Sequence, residues 1–151
     1  MALTLEQKKA VVAEVSAVAQ TAHSAVAAEY RGLTVEEMTD LRRKARAGGV
    51  YLKVAKNTLV RRAVEGTDFE CLSDGLVGPL LFAFSVEDPG AAARLIKDYA
   101  KENDRLIAKL VAFNSSLYDV SEMDRLASLP TKEQALSMLM GTMKAPIEKF
   151  V

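Results

Sequence analysis

Three copies of one helix-start pattern constrain the fold of this chain most. In each, a threonine is followed three residues later by glutamine or glutamate, at Thr4–Gln7, Thr34–Glu37 and Thr131–Gln134. In this capping box the hydroxyl accepts a hydrogen bond from the first helical turn, while the longer side chain accepts one from the threonine N–H. The pattern predicts helices over residues 5–20, from 34 to the glycines at 48–49, and from 131 onward.

Short apolar runs between these helices indicate four strands. We predict them at residues 23–31, 50–55, 80–84 and 105–113, where branched and aromatic residues are bounded by turn residues. A short helix with Asn57 as its N-cap should separate the second and third strands and end at Gly66. Asp88-Pro89 should begin a further helix after the third strand.

The order strand, helix, strand, extra helix, strand, helix, strand fits two architectures. One is a parallel doubly wound sheet. The other is a ferredoxin-like split-βαβ fold, an α/β (α+β) sandwich with a four-stranded, mainly antiparallel sheet and helices on one face. A glycine-rich phosphate loop after the first strand would support the parallel sheet, and the sequence has none there. We therefore expect the split-βαβ fold, followed by a C-terminal helical spine.

Length and composition exclude several classes of protein. A chain of 151 residues can bury a core without disulfides, and its single cysteine, Cys71, excludes an intramolecular bridge. No stretch approaches the roughly 18 apolar residues of a membrane span, and the first nine residues contain no apolar leader segment. We expect a cytoplasmic protein that does not enter a membrane.

Charge is unevenly distributed along a chain whose net charge is zero. Residues 41–64 contain eight basic and no acidic side chains. By contrast, residues 1–40 contain three basic and six acidic side chains, and residues 65–151 contain nine basic and fourteen acidic ones. A neutral average would by itself argue against a nucleic-acid partner, because proteins that bind phosphates usually carry a basic excess. The basic block at 41–64 instead indicates one surface suited to a polyanion.

The basic block spans the end of a predicted helix, a strand and the start of a second helix. Arg42 and Arg46 are one turn apart on one helix face, while Lys53 and Lys56 should point to opposite sides of the strand. With Asn57 as N-cap, the helix start would offer free N–H groups and a partial positive charge to a phosphate. The alternative is a solvated basic face that acidic residues elsewhere balance.

A separate apolar stripe follows the Leu129-Pro130 junction. Its members recur at three- and four-residue steps: Leu136, Leu139, Met140, Met143, Ile147 and Phe150. One interpretation is an ordinary core-facing helix, and the other is a surface that receives partner helices, to which adaptable methionines are suited. Pro146 should kink or end this helix, because it removes a backbone donor and clashes with the preceding turn.

No set of residues indicates catalysis, a metal or a cofactor. His23 is the single histidine and has no cysteine near it in sequence, so we interpret it as structural. Cys71 has no neighbouring base that would make it a nucleophile. We expect no catalytic residue, no metal ligand and no cofactor.

Several stretches together resemble one protein family over essentially all 151 residues. The matching pieces are Ala2-Leu3, Arg31-Gly32-Leu33-Thr34-Val35, Leu41-Arg42, Lys56-Asn57-Thr58-Leu59, Arg61-Arg62-Ala63, Gly78-Pro79, Pro89-Gly90-Ala91-Ala92 and Leu126-Ala127-Ser128-Leu129-Pro130-Thr131. In this order and spacing they resemble the stalk-base protein of the bacterial large ribosomal subunit, the "L-ten" family.

The resemblance implies two functional parts. A globular domain, residues 1–129, would bind large-subunit rRNA at the GTPase-associated region beside the ribosomal protein "L-eleven". A spine, residues 130–151, would collect dimers of the acidic stalk protein, which recruit translational GTPases. In some relatives the RNA-binding surface also represses translation of the protein's own messenger RNA. Relatives usually extend the spine past Val151, so we expect this spine helix to be incomplete.

These expectations give two sets of candidate contacts. The rRNA-binding candidates are Arg42, Arg43, Arg46, Lys53, Lys56, Asn57, Thr58, Arg61 and Arg62, with Lys8, Lys9 and Arg31 as secondary candidates. The stalk-protein candidates are Leu136, Leu139, Met140, Met143 and Ile147. From the residues alone, two alternatives stay open: a small-molecule-binding regulatory domain of split-βαβ fold and an unrecognised enzyme, because a fold does not fix a function.

Overall fold

A computed structural model describes residues 4–151 of the chain, so the Ala2-Leu3 match lies outside the described residues. The helices are α1 (Leu5–Thr21), α2 (Val35–Ala47), α3 (Asn57–Val64), α4 (Ala91–Glu102), α5 (Met123–Ala127) and α6 (Lys132–Phe150). The strands are β1 (Ser24–Glu29), β2 (Val50–Val54), β3 (Leu80–Ser85), β4 (Ile107–Phe113) and β5 (Ser116–Tyr118). Short 3-10 helices occupy Glu70–Gly75 and Val120–Glu122.

The strands form one antiparallel sheet in the order β2-β3-β1-β4-β5. The predicted α/β fold with an antiparallel sheet is confirmed, and β2, β3, β1 and β4 have the neighbours that a split-βαβ arrangement requires. The predicted count of four strands was wrong, because Ser116–Tyr118 adds a fifth strand through a tight turn at Asn114 and Ser115. Both turn residues have positive φ, which places them in the left-handed region.

Helices cover both faces of the sheet, which corrects the expectation of one covered face. Val26 and Leu81 face the core beneath α2, α4 and α5. Ala27 and Phe82 face the core beneath α1, α3 and the first 3-10 helix. The apolar run of β3 is buried along its whole length, as expected for a strand with no solvent-facing side.

The three capping boxes form as predicted, but two other helix starts differ. Thr4, Thr34 and Thr131 each accept a hydrogen bond from the third helical residue. The N-cap of α3 is Lys56 rather than Asn57. The N-cap of α4 is Gly90, so Pro89 precedes the helix instead of starting it.

The C-terminal helix α6 projects from the sheet and its packed helices. It runs through Pro146 to Phe150, so the proline does not end it, and none of its residues is buried. Its exposed apolar side chains exclude a core-facing helix. No helix formed by residues 4–151 is long and apolar enough to cross a membrane.

Candidate nucleic-acid interface

Four residues of the basic block, Arg42, Arg46, Lys53 and Lys56, line grooves beside β2, which lies at one edge of the sheet. Two adjoining grooves share Lys53 and Val54 as lining residues. The first, which we call the α2 groove, has a volume of about 380 Å³ and includes Arg42 and Arg46. The fold thus brings charges from α2 and β2 onto one continuous surface.

The second groove lies where β1 and β2 end and β3 begins, and we call it the sheet-end groove. Its volume is about 560 Å³. Its lining residues are Val11, Tyr30, Lys53, Val54, Ala55, Lys56, Asn57, Thr58, Leu59, Gly78, Pro79 and Leu80. Lys53 and Lys56 therefore line the same groove, although the strand pattern predicted opposite sides. The reason is that β2 ends at Val54, so the chain has already left the strand at Lys56.

Lys53 is engaged by an acid that the sequence pattern did not reveal. Its ammonium lies 2.5 Å from a Glu14 carboxylate oxygen, and the Tyr51 hydroxyl donates a hydrogen bond to the same carboxylate. The hydrogen bonds from Lys53 and Tyr51 lower the pKa of Glu14, and Glu14 raises the pKa of Lys53. Burial and then the Glu14 bond raise the pKa of Tyr51.

Asn57 fixes a wall of the sheet-end groove instead of capping α3. Its amide nitrogen donates to the carbonyl oxygens of Leu76 at 3.3 Å and Gly78 at 2.9 Å. Gly78 has a φ of +91°, a conformation that suits glycine. The loop that carries Pro79 is thereby tied to the start of α3. Thr58 is exposed at that helix start.

The remaining basic candidates differ in how free their charges are. Arg43 pairs with Asp40 at 2.6 Å, and the Arg61 Nε donates to the Ser73 carbonyl at 3.2 Å. Lys44, which also belongs to the basic block, pairs with Glu102 at 2.6 Å. Four members of the basic block are exposed and form neither an ion pair nor a side-chain hydrogen bond within residues 4–151: Arg42, Arg46, Lys56 and Arg62. The secondary candidates Lys8, Lys9 and Arg31 are also exposed.

The stalk-protein candidates form an open apolar face on α6. Their exposed fractions are 49% for Leu136, 56% for Leu139, 60% for Met140, 68% for Met143 and 67% for Ile147. The root of α6 lies at the sheet end opposite the sheet-end groove, where Pro130 and Lys132 line a cavity with His23 and Phe113. The basic grooves and the apolar face are therefore separate surfaces.

Residues 4–151 contain no cluster of three histidine, cysteine, aspartate or glutamate side chains that could hold a metal ion. Cys71 is partly buried, and burial raises the pKa of its thiol. A raised pKa leaves less thiolate, the reactive form, at neutral pH.

Comparison with known proteins identifies the family. A model of "Ribosomal protein L10" matches residues 3–101, and one of "Ribosomal protein uL10 C-terminal region" matches residues 129–151. The chain is 69% identical over 151 residues to "Large ribosomal subunit protein uL10" of Methylococcus capsulatus, covering all of this chain and 86% of that protein. It is 65% identical over 150 residues to the protein of the same name from Thioalkalivibrio sulfidiphilus, covering 99% of this chain and 85% of that protein. The chain therefore belongs to the ribosomal protein L10 family, whose members are structural proteins of the large ribosomal subunit and not enzymes.

Proposed function

We propose that the grooves along β2 bind large-subunit rRNA at the GTPase-associated region. The observation that carries this proposal is the convergence of Arg42, Arg46, Lys53 and Lys56 on one continuous surface of a chain with zero net charge. Such a surface attracts phosphates and releases their counterions. As a protein of the large subunit, the chain works in the cytoplasm.

The RNA is read mainly through its backbone and shape. The major groove of an A-form helix is too deep and narrow for side chains to enter, so phosphate contacts set the position of the protein. Arg42, Arg46, Lys56 and Arg62 supply the main contacts because they belong to the basic block and no ion pair or side-chain hydrogen bond within the described chain holds them. Arg43, Arg61, Thr58, Lys8, Lys9 and Arg31 add weaker ones. Asn57 supports the groove wall.

A salt titration tests the RNA proposal. With four phosphates engaged, affinity for a GTPase-associated-region RNA should fall by roughly 100-fold between 50 and 200 mM salt. Lys56→Glu should weaken binding and flatten this dependence, because it removes one phosphate contact. Arg125→Glu makes a similar charge reversal beside β5, at the other edge of the sheet, and should change little. Binding that is insensitive to salt would contradict the proposal.

The apolar face of α6 binds dimers of the acidic stalk protein. Five large apolar side chains with exposed fractions of 49% to 68% need a partner surface to bury them, and methionines accommodate helices of varied shape. Residues 1–129 thus form the rRNA-binding domain and residues 130–151 the spine. By family resemblance, "L-eleven" is the neighbour at the RNA, the stalk dimers recruit translational GTPases, and the RNA-binding surface is a candidate autorepressor.

A paired substitution tests the spine. Leu139→Asp with Met143→Asp should abolish stalk-protein binding while leaving rRNA affinity unchanged, because the basic grooves lie elsewhere. Gly141→Asp with Ala145→Asp sets two charges, also four residues apart, on the opposite face of α6 and serves as the matched control. Pull-down of the stalk protein and RNA titration measure the two activities. Equal loss of stalk binding in both variants would refute a role specific to the apolar face.

A further inference from the structure

We propose that the sheet-end groove binds the base of one unpaired rRNA nucleotide. The inference rests on the proposed RNA function and deepens it, because backbone contacts alone leave part of this groove without a role. Tyr30, Val11 and Pro79 line it, and none of the three offers a charge to a phosphate. A nucleobase, by contrast, has two apolar faces that stack on aromatic and aliphatic side chains.

The volume of the groove and its preformed wall suit a nucleobase. About 560 Å³ lies within the roughly 300–1,000 Å³ of sites that take small organic molecules, so a nucleoside fits. Asn57 holds the loop before Pro79 through the carbonyls of Leu76 and Gly78, so one wall is already formed. Tyr30 also lines the groove, where it is partly buried against the core and keeps part of its surface open to the groove. A preformed wall lowers the entropy that binding must overcome.

The charges at the groove favour a nucleotide over an uncharged ligand. Lys56 lines the groove without an ion pair in the described chain, Lys53 lines it while paired with Glu14, and no acidic residue of the described chain is itself a lining residue. Arg42 and Arg46 continue the positive surface into the α2 groove. A base turned out of a loop or bulge can therefore enter the apolar part while its flanking phosphates remain beside the cations.

The test measures binding of this chain to GTPase-associated-region RNA in which each unpaired nucleotide is replaced, one at a time, by an abasic residue. One abasic position should weaken binding of the unmodified chain by about 10-fold, within the roughly 5- to 150-fold that stacking of a base contributes. Tyr30→Leu should cause a similar loss, and Tyr30→Phe should bind nearly as the unmodified chain does. The Tyr30→Leu variant should then be insensitive to the critical abasic position.

Two controls separate this proposal from the RNA function on which it rests. Tyr118→Leu makes the same change beside the opposite sheet edge and should leave affinity unchanged. Tyr30→Leu should keep the salt dependence of the unmodified chain, because stacking releases no counterion, whereas Lys56→Glu should reduce it.

Three outcomes overturn the base site. The first is salt-dependent RNA binding that no abasic position weakens, and the second is equal binding by Tyr30→Leu and the unmodified chain. Both leave the RNA function intact. The third is stabilisation of the chain by micromolar adenosine monophosphate without RNA, which indicates a small-molecule site instead. Absence of salt-dependent binding to the unmodified RNA refutes the RNA function itself, and the base site with it.

Discussion

Replacing Glu14 with glutamine should strengthen RNA binding. Glu14 is the acidic side chain that pairs with Lys53, with a distance of 2.5 Å between the ammonium and a carboxylate oxygen. Both partners are partly solvent-exposed, so the pair contributes only about 0.2–1 kcal/mol to folding stability. The substitution should leave the fold intact, because that loss is small beside a typical unfolding free energy of about 5–15 kcal/mol.

The expected magnitude follows from counterion release. One further phosphate contact changes the slope of log affinity against log salt by about 0.9. Between 50 and 200 mM salt this slope corresponds to a factor of about 3.5. If Lys53 is freed to contact one phosphate, Glu14→Gln should bind RNA more tightly than the unmodified chain. The ratio of the two affinities should be about 3.5 times larger at 50 mM than at 200 mM salt.

The assay is a salt titration of the unmodified chain, Glu14→Gln and a control against one RNA. Glu122→Gln is the control, because Glu122 also pairs with a cation, Arg125 at 3.3 Å, but beside the opposite edge of the sheet. An equal gain in Glu14→Gln and Glu122→Gln would mean that net charge alone matters. Unchanged or weaker binding by Glu14→Gln would refute the reasoning that Glu14 withholds Lys53 from RNA.

Stability against pH gives an independent check on the same pair. The bond from Lys53 depresses the pKa of Glu14 in the folded chain. Its contribution to stability should therefore be complete above the ordinary value of 4.5 and be lost as the pH falls through the lowered pKa. Urea unfolding should show a constant difference between the unmodified chain and Glu14→Gln near pH 7, and a vanishing one at acid pH.

Two further substitutions test the packing that positions the surfaces. Gly90→Ala should lower the free energy of unfolding by about 1–3 kcal/mol, because an added Cβ would lie 2.8 Å from the Leu126 carbonyl oxygen. The control is Gly141→Ala on α6, whose added Cβ meets nothing within 4 Å. This control should not lower the free energy of unfolding in the same urea titration. Asn57→Ala should lower the free energy of unfolding by about 1 kcal/mol, because two hydrogen bonds are lost. It should also increase the rate of amide hydrogen exchange in the loop at residues 76–79. Unchanged exchange would show that Asn57 does not hold that loop.

Local sequence patterns predicted the features that depend on neighbouring residues. The capping boxes at Thr4, Thr34 and Thr131 formed because donor and acceptor lie three residues apart, whatever the rest of the fold does. The apolar run at residues 80–84 correctly predicted β3. This run has no alternation of apolar and polar residues, and the prediction overlooked what that implies. A strand without polar positions needs other elements to cover both faces of its sheet.

Contacts between distant residues account for what the patterns missed. Asn57 is a favourable N-cap residue, yet carbonyls about twenty positions away engage its side chain. The sequence pattern did not reveal that Lys53 is paired, because its partner Glu14 lies 39 positions earlier in the chain. The three residues of β5 are too few to show a period, and only the turn at Asn114 and Ser115 folds them back onto β4.

The topology also separates the two proposed partners. The sheet-end groove lies where β1 ends, whereas the root of α6 lies beside His23, just before β1 begins. The six residues of β1 span roughly 20 Å at about 3.3 Å each. An RNA in the grooves and a stalk protein on α6 therefore share no contact residue, and no moving element between them is needed for both to bind. Under the proposed function, Lys56→Glu and the paired α6 substitution should act additively on assembly of RNA, chain and stalk protein, as expected for sites without coupling free energy.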